Sequence, residues 1–174
     1  MLIGITGKLY SGKTTTANFI KDLYPNTILL AFGDCLKEMI YNAGICSKEE
    51  LWDKKTKFSR MMLQKIGTEI IRKQVSDNFW VNKMTEKISK IDRKKLIVIH
   101  DVRFQNEVDM IHFFHGKIIR IIRPSLKQNK EENKHISETE QDTIVADYEI
   151  INKSLDVLKM RTEIVTTILL SEQI

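Results

Sequence analysis

Apolar residues along this chain fall into two alternating patterns. Short unbroken runs cover Leu2–Thr6, Thr27–Phe32, Leu96–His100, Lys117–Ile122 and Tyr148–Ile151, and between them apolar residues recur every three or four positions. An unbroken run reads as a strand covered on both faces, and the wider spacing as a helix with one buried stripe. Strands alternating with helices predict an α/β fold built on a five-stranded parallel sheet flanked by helices.

The punctuation agrees with this reading. Helices are expected from about Lys13 to Leu23, ended by Tyr24-Pro25-Asn26, and after the cap Gly33-Asp34, closed by Gly44. Ser47-Lys48-Glu49-Glu50 has the spacing of a capping box and opens a short helix. Met62, Leu63, Ile66, Ile70 and Ile71 form a stripe that predicts a helix over Phe58–Gln74. Ser76-Asp77 caps the next helix, which carries Phe79, Trp80, Met84 and Ile88. Phe104–Phe114 reads as a helix whose end is capped by Gly116, and Ser154 caps a last one from Leu155 to Leu170. The polar segment Lys127–Lys134 has little to bury and reads as a mobile loop. With no repeat and no second domain visible, residues 1–174 are expected to form a single domain.

Composition narrows the class without choosing a function. At 174 residues and 42% hydrophobic content the chain can bury a core, and 2 Pro with 7 Gly exclude collagen-like and Pro/Gly-rich disordered chains. Lys+Arg number 28 against 23 Asp+Glu, a net charge of +5 that favours anionic partners but is modest and does not by itself indicate nucleic acid. Cys35 and Cys46 form no CxxC pair, so a reducing compartment is expected. No window approaches the roughly 20 apolar residues of a membrane span, and the apolar amino-terminal run is too short for a signal sequence. The expected location is the cytoplasm.

The chemistry starts at Gly7-Lys8-Leu9-Tyr10-Ser11-Gly12-Lys13-Thr14, a full G-x-x-x-x-G-K-[ST] match that follows a strand and opens a helix. Its glycines let successive N–H groups converge on phosphate oxygens, and the helix N-terminus adds its positive dipole end. Lys13 can bridge the β- and γ-phosphates, the Thr14 hydroxyl can ligate Mg²⁺, and Thr15 continues the first turn. A nucleoside triphosphate is the expected ligand, held by Gly7, Lys8, Tyr10, Ser11, Gly12, Lys13, Thr14 and Thr15. A dinucleotide fold is excluded because G-x-G-x-x-G is missing. A GTPase is excluded because Asn152-Lys153-Ser154-Leu155 lacks the Asp of N-K-x-D. Motors and helicases need larger domains, which leaves a small-molecule kinase. Asp101, at the tip of a strand, suits Mg²⁺ binding through water or a helix N-cap. Arg103 can grip a phosphate with its planar fork.

With Leu63-Gln64-Lys65-Ile66-Gly67-Thr68-Glu69, Arg72, Trp80-Val81, Asp101-Val102-Arg103-Phe104-Gln105-Asn106-Glu107 and His135-Ile136-Ser137-Glu138, the chain resembles the deoxynucleoside monophosphate kinases of phages and large DNA viruses. Phe32-Gly33-Asp34-Cys35-Leu36-Lys37-Glu38 resembles their segment after the second strand, where the family more often has Ala-Asp-Pro. The resemblance implies transfer of the γ-phosphoryl of ATP to a 2′-deoxynucleoside 5′-monophosphate with Mg²⁺. It puts Asp34, Lys37, Gln64, Thr68, Arg72, Trp80, Arg103 and Glu107 in the acceptor site, within a helical region of about 34–91. Side-chain chemistry agrees for several, since Arg72 and Arg103 supply fixed positive forks for the acceptor phosphate. Trp80 can stack on a base or pack in a core, and Gln64 and Thr68 can meet a base edge or form a surface pair.

Arg123 can close over the transferring phosphoryl group, while Arg120 is expected to be structural. A lid over about 124–138 would exclude water, with His135 touching substrate or pinning the lid. Asn152 is the expected neighbour of the adenine, by analogy with similar kinases. Asp34 either orients a nucleotide acceptor, whose phosphate is already ionised, or is the base for a hydroxyl acceptor such as dephospho-coenzyme A or a nucleic-acid 5′ end. A nucleotide-sensing protein without turnover is the remaining alternative. His112 and His115 lack a third ligand for zinc. The expected partners are small nucleotides, with no membrane or nucleic acid, and a homodimer is left open.

Overall fold

The computed structural model of the chain describes residues 1–125 and 140–172. Along it run β1 (Leu2–Thr6), α1 (Lys13–Leu23), β2 (Ile28–Leu30), α2 (Gly33–Asn42), α3 (Lys57–Gln64), α4 (Phe79–Ser89), β3 (Ile97–Val102), α5 (Gln105–Phe113), β4 (Lys117–Ile122), β5 (Tyr148–Ile151) and α6 (Leu155–Ser171). The chain divides into two compact units, one of Met1–Ala31 with Ile91–Ile174 and one of Phe32–Lys90.

All five strands lie in the first unit as one parallel sheet, in the order β2-β3-β1-β4-β5. Alternation along β1 puts Ile3 and Ile5 on one face, where they join Val98, Ile119, Ile121 and Ile150 under Ala17 and Ile20 of α1 and Leu158 and Leu169 of α6. Gly4 points to the other face, where a Cβ would come within 2.6 Å of Ile111 Cδ1, so a glycine lets α5 sit close to the sheet. Both faces of β1 are therefore buried, as its unbroken apolar run requires.

Three details depart from the sequence reading. β2 is shorter than Thr27–Phe32. β3 extends to Val102 with a bulge, since Gly4 pairs with Ile99 and Thr6 with Val102, leaving His100 and Asp101 opposite Ile5 alone. At the end of α5 the left-handed residue is His115 (φ 56°), not Gly116. The Gly116 N–H bonds Ile111 O at 2.9 Å and the His115 N–H bonds His112 O at 2.8 Å, the paired bonds of a Schellman cap with histidine in the usual glycine place. Gly116 is required by space instead, because a Cβ would lie 2.8 Å from Leu2 O.

The second unit is helical. Ser47 and Glu50 form the expected reciprocal cap, with Ser47 N–H to Glu50 Oε2 at 3.0 Å and Glu50 N–H to Ser47 Oγ at 3.2 Å. The stripe expected as one α-helix changes pitch. α3 stops at Gln64 and Lys65–Val75 continues in wider turns closed by i→i+5 bonds such as Ser76 N–H to Ile71 O at 2.9 Å. The Trp80 indole N–H donates to Gly67 O at 3.0 Å, an outside donor entering the helical ladder where it widens. The next helix is preceded by Asn78 and not by Ser76-Asp77.

Candidate active site

The loop from Gly7 to Gly12 joins β1 to α1 as its motif demands. Gly7 and Gly12 hold φ of +139° and +113°, and Tyr10, the exposed tip, also lies in the left-handed region at 62°. Space is short as well: a Cβ on Gly7 would run into Ile121 O, and one on Gly12 would meet Asn152 Nδ2 at 2.8 Å. The Lys13 ammonium turns back over the loop and donates to Gly7 O at 2.5 Å and Lys8 O at 2.8 Å. The cation therefore sits against the backbone of the loop. Thr14 is exposed and Thr15 half-buried in the first turn of α1.

A cavity of about 260 Å³ opens beside this loop, lined among others by Gly7, Lys8, Ser11, Arg123 and Asp142. Ser11 Oγ is buried there with no hydrogen-bond partner among the described residues, a polar atom suited to a bound ligand or water. The Arg123 guanidinium reaches Tyr10 O at 3.4 Å, which places it over the loop. Arg120 also lines the cavity, and its guanidinium donates to the carbonyls of Gln141 (3.1 Å) and Ile144, which anchors the segment entering β5. Asp142 escaped the sequence reading, yet its carboxylate pairs with Lys8 at 2.7 Å. Nothing in the surrounding polar stretch signals that pairing.

Asp101 lies in the bulge of β3, next to β1 and hence to the strand that feeds the loop. Asp101 and the Thr14 hydroxyl would offer oxygen donors only. That composition fits Mg²⁺, which keeps several waters and phosphate oxygens in its shell. Asp101 is not a helix cap, because the residue before α5 is Phe104. Glu107, the third residue of α5, reaches back to the turn before the helix instead. It is 2% exposed, and its Oε2 accepts the N–H of Arg103 at 2.7 Å and of Phe104 at 3.3 Å. Glu107 thus fixes the backbone that carries Arg103, a task its place in the motif does not reveal.

In the second unit, Asp34 and Lys37 pair at 2.9 Å, with the Lys37 ammonium 5.6 Å from the centroid of the Trp52 ring. Gln64 is half-buried, while Thr68 and Arg72 are buried in the wide-turned segment. The Arg72 guanidinium donates to Asp77 O at 2.9 Å and Asp77 Oδ1 at 3.3 Å. Of the two readings of Trp80, the geometry favours packing. Trp80 is 5% exposed, its N–H is used by Gly67, and its ring meets Phe79 edge to face at 4.8 Å. Asn152 is 7% exposed and its amide donates to Ser11 O at 2.7 Å, so it braces the loop. His135 and the expected lid beyond Ser125 lie outside the described residues.

Residues 38–162 match the model of a family described as deoxynucleotide monophosphate kinase. The chain belongs to that family. A deoxynucleotide monophosphate kinase family relative from Acanthamoeba polyphaga mimivirus, named "Putative deoxynucleotide monophosphate kinase", is 29% identical over 184 residues, covering 90% of this chain and 91% of its own. Among solved structures, TT1252 from Thermus thermophilus is similar with a TM-score of 0.55 at 14% identity, covering 99% of this chain and 97% of its own. Dephospho-CoA kinase from Campylobacter jejuni is similar at 0.54 and 16%, covering 95% of each chain. These likenesses show the P-loop kinase fold. Family and fold together make the chain a nucleotide kinase, a phosphotransferase with a nucleotide-binding P-loop.

Proposed function

We propose that this kinase transfers the γ-phosphoryl group of ATP to a 2′-deoxynucleoside 5′-monophosphate. An oxygen of the acceptor phosphate bonds to the γ-phosphorus, the bond from that phosphorus to the β–γ bridging oxygen breaks, and ADP leaves with a deoxynucleoside diphosphate. The observation that carries the reading is the Gly7–Thr14 cradle with the Lys13 ammonium over its backbone, in a chain of this family.

The acceptor phosphate has its second pKa near 6 and is already ionised at neutral pH, so no side chain need take a proton. Asp34, already paired with Lys37, then orients the acceptor and does not act as a base. Lys13 tracks the charge of the transferring group, while Arg103 and Arg123 supply guanidinium forks for phosphate oxygens. Mg²⁺, held by Thr14 and Asp101, would supply charge neutralisation between the phosphates. Lys37, Gln64, Thr68 and Arg72 complete the acceptor side in this reading. Trp80 contributes through the packing around them, and Glu107 through its hold on Arg103.

The test is ADP release with a panel of deoxynucleoside and ribonucleoside monophosphates, dephospho-coenzyme A and 5′-hydroxyl oligonucleotides. Turnover with one or more deoxynucleoside monophosphates, exceeding that with their ribose counterparts, is expected. Turnover only with a hydroxyl acceptor would reassign the reaction and make Asp34 the base. ATP binding with no turnover on any acceptor would leave a nucleotide sensor.

A further inference from the structure

Asn152 follows β5 directly and precedes the cap of α6, yet its side chain belongs to the P-loop. Its amide Nδ2 donates to Ser11 O at 2.7 Å, and its own N–H bonds Ile122 O at 2.7 Å. The residue is 7% exposed and thus bolted to the end of β4 on one side and to the loop on the other. We propose that Asn152 is a positioning residue of the phosphate cradle, aiming the Gly12 amide at the donor phosphates.

The Ser11–Gly12 peptide is planar and trans. In a trans peptide the carbonyl and the following N–H point in opposite directions. Holding Ser11 O toward Asn152 turns the Gly12 N–H the other way, away from Asn152. Gly12, at φ +113°, has no side chain to steady it, and a Cβ would lie 2.8 Å from the same Nδ2. The position therefore needs glycine on one side of the contact and a donor on the other. Only a donor serves, because the group it faces is a carbonyl oxygen.

The inference rests on the reading that the loop holds ATP, and kinetics of three variants test it. Asn152→Ala removes the donor and leaves a gap. Asn152→Asp keeps the size but faces a carboxylate toward the Ser11 carbonyl. Asn152→Leu keeps the size without a buried charge. Each is expected to lower kcat/KM for ATP by about tenfold or more, the scale of one lost hydrogen bond, while KM for the acceptor stays put. Asn152→Asp should be no better than Asn152→Ala. A packing role predicts the reverse order, since Asp fills the space that Ala leaves. An ATP kcat/KM within about twofold of wild type in Asn152→Leu, or Asn152→Asp outperforming Asn152→Ala, overturns the proposal. Calorimetric titration of wild type with ATP separates the two failures. No binding there removes the cradle itself and this role with it, whereas normal binding with unimpaired variants removes the role alone.

Discussion

Lys13 shows how a single cation can be stored before it is used. Its bonds to Gly7 O and Lys8 O hold the ammonium against the backbone of the loop. Phosphate oxygens would compete for the same charge, and charge-assisted bonds to them exceed those to neutral carbonyls. Lys13→Ala should therefore lower phosphoryl transfer at least about a thousandfold, the scale on which removal of a positioned cation or donor acts in such reactions. The loss of two hydrogen bonds at a half-buried side chain should cost only about 1–2 kcal/mol of stability. Circular dichroism with a thermal melt, run beside the transfer assay, checks both statements. Substantial activity in a folded variant would remove Lys13 from the reaction. At this same scale, Glu107 is instructive in another way. Its Oε2 accepts the Arg103 and Phe104 N–H groups, so this motif glutamate holds the backbone that carries Arg103.

Element by element, what the sequence made legible was whatever depends on neighbours along the chain. The runs Lys117–Ile122 and Tyr148–Ile151 are the strands β4 and β5, and Ser154 caps α6 by accepting the Val157 N–H at 3.3 Å. The P-loop is legible for the same reason, since its chemistry and its strand–helix flanks are contiguous. What stayed hidden depends on distant partners. The wide turns of Lys65–Val75 accompany a bond from Trp80, 13 residues away from Gly67, which periodicity alone does not encode. Likewise the brace on Ser11 comes from Asn152, 141 residues on. Trp80 makes the distinction testable. Trp80→Phe keeps an aromatic ring but leaves Gly67 O without its donor, so the helical unit should lose about 1–3 kcal/mol. KM for the acceptor should then move less than twofold in protein verified as folded. A base-stacking Trp80 predicts the opposite, a raised KM with stability nearly unchanged, and denaturant midpoints measured beside acceptor kinetics separate the two.

Over the whole molecule, the order β2-β3-β1-β4-β5 turns distant segments into neighbours. β1, which leads into the P-loop, lies between β3, which carries Asp101, and β4, which leads to Arg123. That adjacency is a property of parallel pairing, where crossovers carry each strand back to the same end of the sheet. The far end is tied by Asp147, whose carboxylate accepts the Ile118 N–H at 2.8 Å and pairs with Lys117 and His112 at 3.2 Å each. Three elements meet there: the last turn of α5, the start of β4 and the entry to β5. Burial by itself would raise the Asp147 pKa, but the Ile118 N–H, His112 and Lys117 together hold it below the ordinary carboxylate value. A carboxyl whose pKa is depressed by folding contributes stability that is complete above its unfolded value, about 3.9, and is lost as pH falls through the folded value. Asp147→Asn should therefore cost about 1–2 kcal/mol near neutral pH, where the wild-type carboxylate is ionised. As pH falls below about 4 the carboxyl of the unfolded chain takes up its proton first and that of the folded protein only at lower pH, so the gap between the two proteins should narrow. Urea midpoints from neutral to acid pH measure the gap directly, and a gap that stays constant across that range would show that the charge of Asp147 does not hold these elements together.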